Sequence, residues 1–295
     1  MNNKLIMQIN YAERPGGVFG SRSIDDVCAF AKSVGFDGIE FRGNPPRDMA
    51  ISFREYAEQI ADAKKKHGLS EILFGMSLSE CTNPEKRDEQ IAAVIEKVKI
   101  AREVCGTEVC NVNASWISSK EAGVPSYRYD LAGAAAATET DWEMAADAFA
   151  RVAPTLETIG MRFAFETHMG YVHDLPANAR RLVDMIGSPS VGINLDYGNT
   201  VYFPKIPTVE EAIDICGDKL FYIHLKNSVP VPGTDNLRLP TALGDGQINH
   251  RAYIEKLCDV GYTGSIGIEA PRPGDRTWYA KCDMAYLKDV LADFE

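Results

Sequence analysis

The chain has no apolar stretch near the roughly 20 residues needed to cross a bilayer, no CxxC pair, and no GxGxxG turn after its first apolar run. The first absence excludes a membrane-spanning helix. The second removes the usual pairing pattern, so the seven cysteines, an odd number set mostly in apolar surroundings, read as reduced core thiols of a cytoplasmic protein. The third weakens a doubly wound open sheet as the fold. Positive charge is also scarce, with 31 Lys and Arg against 42 Asp and Glu and a net charge of −11. Such a surface repels phosphate backbones and anionic lipid, so neither nucleic acid nor a membrane is expected as a partner. The opening MNNKLIMQINYAERPG holds only a short apolar run and no small-residue cleavage site, so no signal peptide is expected.

What is present is a repeated join. A helical pattern ends, a Gly follows, and a short β-rich run begins: SVGFDGIEF (33–41), KHGLSEILF (66–74), VCGTEVCNV (104–112), TIGMRFAFE (158–166), MIGSPSVGINLD (185–196), ICGDKLFYIHL (215–225) and DVGYTGSIGIE (259–269). Gly suits a helix C-terminus because it enters the left-handed region without a Cβ penalty. Each run then has the near-continuous apolar character of a strand covered on both faces, as in a parallel sheet. With KLIMQIN (4–10) there are eight such strands, separated by amphipathic stretches that begin at plausible caps such as Ser23. Eight alternations in 295 residues without a linker predict one (β/α)8 TIM barrel over residues 1–295. The longest irregular stretches, 114–139 and 227–248, follow strands and so belong to the catalytic face.

Chemistry in such a barrel comes from the C-terminal strand ends. These read Gln8, Glu40, Met76, Asn113, Glu166, Asp196, His224 and Glu269. A single Glu ending a strand is commonly a solvated cap. Four successive strands ending FAFE, GINLD, FYIH and IGIE are harder to obtain by chance. Three carboxylates converging on one axis repel and raise each other's pKa unless a cation joins them. Glu166, Asp196, His224 and Glu269 therefore predict a divalent metal, with Mn²⁺ the leading candidate and Mg²⁺, Co²⁺ or Zn²⁺ also compatible with three carboxylates and an imidazole. His168 and Lys226 each lie two residues past one of these ligands and are candidates for substrate contact or ligand support. Asn113, Glu40 and Gln8 either touch substrate or bond internally. Arg272 suits substrate contact or a solvated loop equally. His67 reads as a capping charge at a helix end, His173 and His250 as surface residues, and Trp116 and Trp142 as core or pocket wall.

The stretches GFDGIEFR (35–42), KKHGLSEI (65–72), FAFETH (163–168), INLDYGN (193–199), FYIHLKN (221–227), LGDGQIN (243–249) and GYTGSIGIEA (261–270) resemble the xylose isomerase-like TIM-barrel superfamily, in its sugar phosphate isomerase/epimerase branch. The resemblance implies one divalent metal on Glu166, Asp196, His224 and Glu269, with both glutamates doubling as proton-transfer groups. It implies a metal-dependent isomerase or epimerase acting on a ketose or related polyol through a metal-stabilised enediolate; the alternative is a lyase or dehydratase eliminating water from the same species. It also suggests a homo-oligomer. Many members carry a His three residues after the Asp ligand, where this chain has Asn199. The apurinic endonucleases need several more histidines than the five present, which with the acidic charge tells against DNA repair. No single loop clusters Arg and Lys, and Gly244-Asp245-Gly246 is acidic, so an unphosphorylated sugar is the expected substrate. A non-enzymatic sugar binder would have lost ligands, and none is lost.

Overall fold

The strands are β1 (Leu5–Gln8), β2 (Gly38–Arg42), β3 (Glu71–Ser77), β4 (Val109–Asn113), β5 (Arg162–Glu166), β6 (Val191–Asp196), β7 (Leu220–Leu225), β8 (Asn227–Pro230), β9 (Arg238–Thr241) and β10 (Ser265–Ile268). Eight of them, all parallel, close a barrel in the order β1-β10-β7-β6-β5-β4-β3-β2. The computed structural model describes residues 3–14, 17–125, 127–234, 237–269 and 272–294. Every barrel strand begins within an expected apolar run, and β2, β3 and β4 continue past the end of theirs, to Arg42, Ser77 and Asn113. Around the barrel lie α1 (Ile24–Val34), α2 (Phe53–His67), α3 (Arg87–Ile100), α4 (Glu139–Ile159), α5 (Pro176–Ile186), α7 (Val209–Cys216), α8 (His250–Asp259) and α9 (Arg276–Ala292). Ser23 caps α1 as expected, accepting from Asp26 N while Asp26 returns a bond to the Ser23 backbone. Gly68 and Gly160 end α2 and α4 at φ 66°, a left-handed turn that a side chain resists. Among the described residues no helix is long and apolar enough to cross a membrane.

The two-residue period of the strands sorts side chains into layers. Facing the helices is the main apolar core. Facing inward, Ile6, Leu73, Val109, Ala164 and Tyr222 form a separate apolar floor that fills the barrel. Above that floor the same alternation lifts Glu40, Asn111, Asn194 and His224, then Glu166, Asp196 and Glu269, toward the mouth. Register fixes their heights, with Asp196 opposite His224 and Glu166 opposite Asn194. Gly267 leaves room for this layer, because a Cβ there would stand 2.9 Å from His224 Cδ2.

One loop expectation is corrected. The stretch 227–248 is not irregular: Asn227–Pro230 (β8) and Arg238–Thr241 (β9) pair as an antiparallel hairpin. Directly after β6, Tyr197–Thr200 form a one-turn helix (α6), because Asp196 Oδ1 accepts from Asn199 N at 3.0 Å.

Candidate metal centre

The strand ends bring one atom each from Glu166, Asp196, His224 and Glu269 within 4.8 Å of one another. His224 Nδ1 lies 3.2 Å from Glu269 Oε2, 3.7 Å from Asp196 Oδ2 and 3.8 Å from Glu166 Oε1. Ligand atoms each about 2.1 Å from one cation stand roughly 3 Å apart when adjacent and roughly 4.2 Å apart when opposite. The observed separations suit a shared cation. His224 Nδ1 is buried without a hydrogen-bond partner, and Asp196 Oδ2 and Glu269 Oε2 are buried and met by the Lys226 ammonium, the condition expected of atoms shaped for a cation rather than for each other.

The imidazole is oriented from behind. His224 Nε2 bonds Glu40 Oε2 at 2.7 Å, leaving Nδ1 to face the cluster. Glu40 Oε1 and Glu166 Oε2 both accept from Asn111 Nδ2, at 3.1 and 2.8 Å, and Asn111 Oδ1 accepts from Asn194 Nδ2 at 3.0 Å. Asn199 Nδ2 donates to Glu166 Oε1 at 3.1 Å and to the Thr167 carbonyl at 3.0 Å. Lys226 Nζ stands 2.8 Å from Asp196 Oδ2 and 2.9 Å from Glu269 Oε2, and donates to Asn199 Oδ1 at 3.1 Å. Its stem passes over Gly198, where a Cβ would collide with Lys226 Cγ.

These neighbours decide the charge states. Burial opposes ionisation of Glu166 and Glu269 adds to it, but His224 outweighs both and holds Glu166 down at about 2. Burial likewise opposes a charge on Glu269, yet Lys226 and then His224 hold it well below the carboxylate range. For Asp196 burial wins and raises the carboxyl in spite of Lys226. Burial disfavours the His224 imidazolium, but Glu40 and the other acids facing it raise it well above an ordinary histidine. Burial disfavours the Lys226 ammonium as well, and the charges of Asp196 and Glu269 reverse that. The centre is thus an ionised cluster balanced from two sides, the setting in which a further cation can bind.

The other sequence candidates fall in different places. His168 is half-buried at the mouth, bonded to the Met169 carbonyl at 2.9 Å and edge-on to Tyr171. Asn113 is at the mouth, with Oδ1 buried and without a partner. Glu40 lies beneath His224, 2% exposed, in internal bonds rather than open to substrate. Gln8 also bonds internally, to Asn10 N at 2.6 Å. Arg272 is not a solvated loop residue: it is buried, Nη2 pairs with buried Asp283 at 2.9 Å and Nη1 donates to the Thr241 carbonyl at 3.0 Å. His173 and His250 correct the expectation of surface residues, being 0% and 1% exposed. His173 Nδ1 bonds the Glu166 carbonyl at 2.6 Å while Nε2 accepts from Ala114 N at 3.1 Å, which ties the loops after β4 and β5 together. That pattern needs a neutral ring, and burial pushes its pKa down to about 4. His67 ends α2 as expected, and its ring bonds Asp25 of α1 at 2.9 Å. Trp142 is core, whereas Trp116 is a half-exposed wall against Tyr171. All seven cysteines are free.

Asn111, Asn194 and the role of Asn199 were missed. One signal was available for Asn111, since it shares a face with Asn113 two residues on.

Three curated proteins, all named inosose dehydratase, match part of the chain. That from Geobacillus kaustophilus is 26% identical over 169 residues, or 52% of this chain and 54% of that protein. The chain therefore spans about half the length of the curated relatives it matches. Among solved structures, a xylose isomerase-like TIM barrel protein from Mycobacterium smegmatis in complex with magnesium superposes with a TM-score of 0.74 at 18% identity, covering 99% of this chain and 97% of the other. The 3-keto-D-glucoside 4-epimerase of E. coli gives 0.73 at 18% identity, covering 98% and 100%. These likenesses speak to the fold. Residues 28–290 match the family described as xylose isomerase-like TIM barrel, and the chain belongs to that family.

Proposed function

We propose that this protein is a divalent-metal-dependent isomerase or epimerase that moves a proton at a carbon α to the carbonyl of a ketose or related polyol. The observation that supports it most is the cluster of Glu166, Asp196, His224 and Glu269, whose facing atoms lie within 4.8 Å of one another at the barrel mouth. These four residues would hold the ion, with Mn²⁺, Mg²⁺, Co²⁺ or Zn²⁺ compatible with the donor set. A divalent ion there supplies a Lewis acid toward a carbonyl oxygen.

The protein's own groups do the rest. Glu166 and Glu269 end strands separated by β6 and β7 in the ring, so their carboxylates meet a substrate between them from different sides. One accepts the α-proton and the other, once protonated, delivers a proton to the opposite face. Proton return to the same carbon gives epimerisation, and return to the neighbouring carbon gives aldose–ketose exchange. Lys226 places a cation where negative charge develops on substrate oxygen. His168 and Asn113 line the approach and would bond substrate hydroxyls. A second reading, a dehydratase, is favoured by the inosose dehydratases matched over half the chain. It begins with the same proton removal and ends with loss of a β-hydroxyl as water, which needs a proton donor at that oxygen.

The test is turnover of ketoses, sugar phosphates and keto-inositols by metal-supplied and chelated protein, with solvent deuterium followed at the α-carbon. Metal-dependent exchange supports the proposal. Net loss of water selects the second reading. Absence of exchange on every member of the panel contradicts both.

A further inference from the structure

Beside Glu269 the mouth opens into a cavity of about 510 Å³ whose lining includes Arg14, Arg42, Arg47 and Arg276. The four come from three places in the chain: the loop after β1, the end of β2 with the loop beyond it, and the first residue of α9. Among the described residues only one is held in an ion pair. Arg42 donates through Nε and Nη2 to Glu13, at 3.0 Å for the closest approach. Arg276 Nη1 donates to the backbone carbonyls of Asn10 and Glu13, at 2.8 and 2.7 Å, which fix its position without cancelling its charge. Among the described residues the Arg14 and Arg47 guanidinium groups have no hydrogen-bond or ion-pair partner. Asp48, which accepts from the Phe19 and Gly20 N–H groups, keeps its charge and interacts electrostatically with Arg14. The other carboxylate in the cavity, Glu269, is held by Lys226. Among the described residues, two guanidinium charges, those of Arg47 and Arg276, therefore face the cavity without a counter-charge, and Arg14 has only Asp48 near it, in a chain of net charge −11. Arg276 is also half-buried, where an uncompensated charge is costly unless a ligand answers it. Asn10 adds an independent sign of a ligand. It lines the same cavity, is 7% exposed, and its Oδ1 is buried without a partner, so it offers an acceptor to a hydroxyl group.

From this cavity we infer that the substrate carries an oxyanion group, a carboxylate or a phosphate ester, seated among Arg14, Arg47 and Arg276 while its reactive end lies at the metal centre. The inference deepens the proposed function and rests on it for the position of the reacting carbon. Guanidinium forks pair with planar or tetrahedral oxyanions through two N–H groups at once. A cavity of this size takes a small molecule, and the acidic surface elsewhere disfavours a polyanionic chain. The expectation of an unphosphorylated substrate rests on single loops, none of which clusters basic residues, whereas this cluster is assembled across loops.

Two measurements on the full-length, Mg²⁺-loaded protein test it. The first is calorimetric titration with inorganic phosphate and with acetate, comparing wild type with the double variant Arg14→Ala/Arg47→Ala and with Arg47→Lys. Hydrogen bonds to charged groups are worth enough that losing two guanidinium groups should weaken binding of at least one probe by roughly tenfold or more, with Arg47→Lys in between. The same titrations on chelated protein separate probe binding at the metal from binding in the cavity. The second is kcat/KM for a neutral ketose, its terminal phosphate ester and the matching keto-sugar acid. One anionic member should exceed the neutral parent by roughly tenfold or more and lose that advantage in the double variant; which member it is names the anion. Equal affinity of both probes for wild type and double variant overturns the inference, as does equal kcat/KM across the three substrates. If none of the three turns over, the reaction class is at fault and the binding ratio alone decides the cavity.

Discussion

Replacing Lys226 with Met keeps the apolar stem over Gly198 and removes the ammonium. The structure sets the size of the effect. Nζ stands 2.8 Å from Asp196 Oδ2 and 2.9 Å from Glu269 Oε2, and the three side chains are 13%, 0% and 16% exposed. Removing one member of a buried ion pair leaves an uncompensated charge and costs about 3–5 kcal/mol. With chelator present, Lys226→Met should therefore lose stability of that order in urea unfolding. A divalent ion supplies positive charge to the same carboxylates, so saturating metal should remove most of the deficit. The variant also lacks an ammonium competing for two ligand oxygens, so its metal-induced stabilisation should exceed that of wild type. Turnover should fall under both conditions. An equal loss of stability with and without metal would mean that Lys226 matters only through packing. No loss in either condition would make it a surface lysine, and the charge balance described for the centre would be wrong.

Glu40→Ala removes the carboxylate that orients His224 without touching the four facing atoms, and metal affinity should drop about 10–100-fold in competition with a chelating dye; unchanged affinity would show the imidazole to be held by packing alone. Burial pushes His250 down to about 4, against about 6.5 in the unfolded chain. A depressed histidine gives stability that is present above the unfolded value and lost as pH falls through the folded one, so about 3 kcal/mol should disappear between pH 6.5 and 4. Urea unfolding across that range should show a shallower decline in His250→Gln than in wild type; an identical decline would place the acid sensitivity elsewhere.

The barrel was legible because strands buried on both faces leave unbroken apolar runs, and because a glycine marks each helix end before them. FAFE, GINLD, FYIH and IGIE were legible for a related reason: an ionisable side chain at the tip of such a run stands out against its own strand. Other features depend on contacts no local pattern carries. Asn111 and Asn194 lie inside strands, where a polar residue reads as an interruption, and only the closed barrel shows that they bond Glu40, Glu166 and each other. His173 and His250 lie in sequence surroundings like those of exposed residues, and tertiary packing alone buries them. Arg272 sits three residues past a ligand, but its partner Asp283 comes from α9. The arginine cavity draws on loops more than 200 residues apart in numbering, from Arg14 to Arg276.

The central claim is that Glu166 and Glu269 both hold the metal and move the substrate proton. Deuterium wash-in on purified epimers tests it most directly, using Glu166→Gln and Glu269→Gln with metal occupancy measured in the same samples. Gln keeps the shape and one ligand oxygen but cannot accept a proton. Each variant should lose on the order of 10²–10⁴-fold in turnover with metal partly retained, and each should still exchange the proton of one epimer while failing on the other. Near-native turnover in both variants with metal bound would contradict the account, leaving the two glutamates as ligands only.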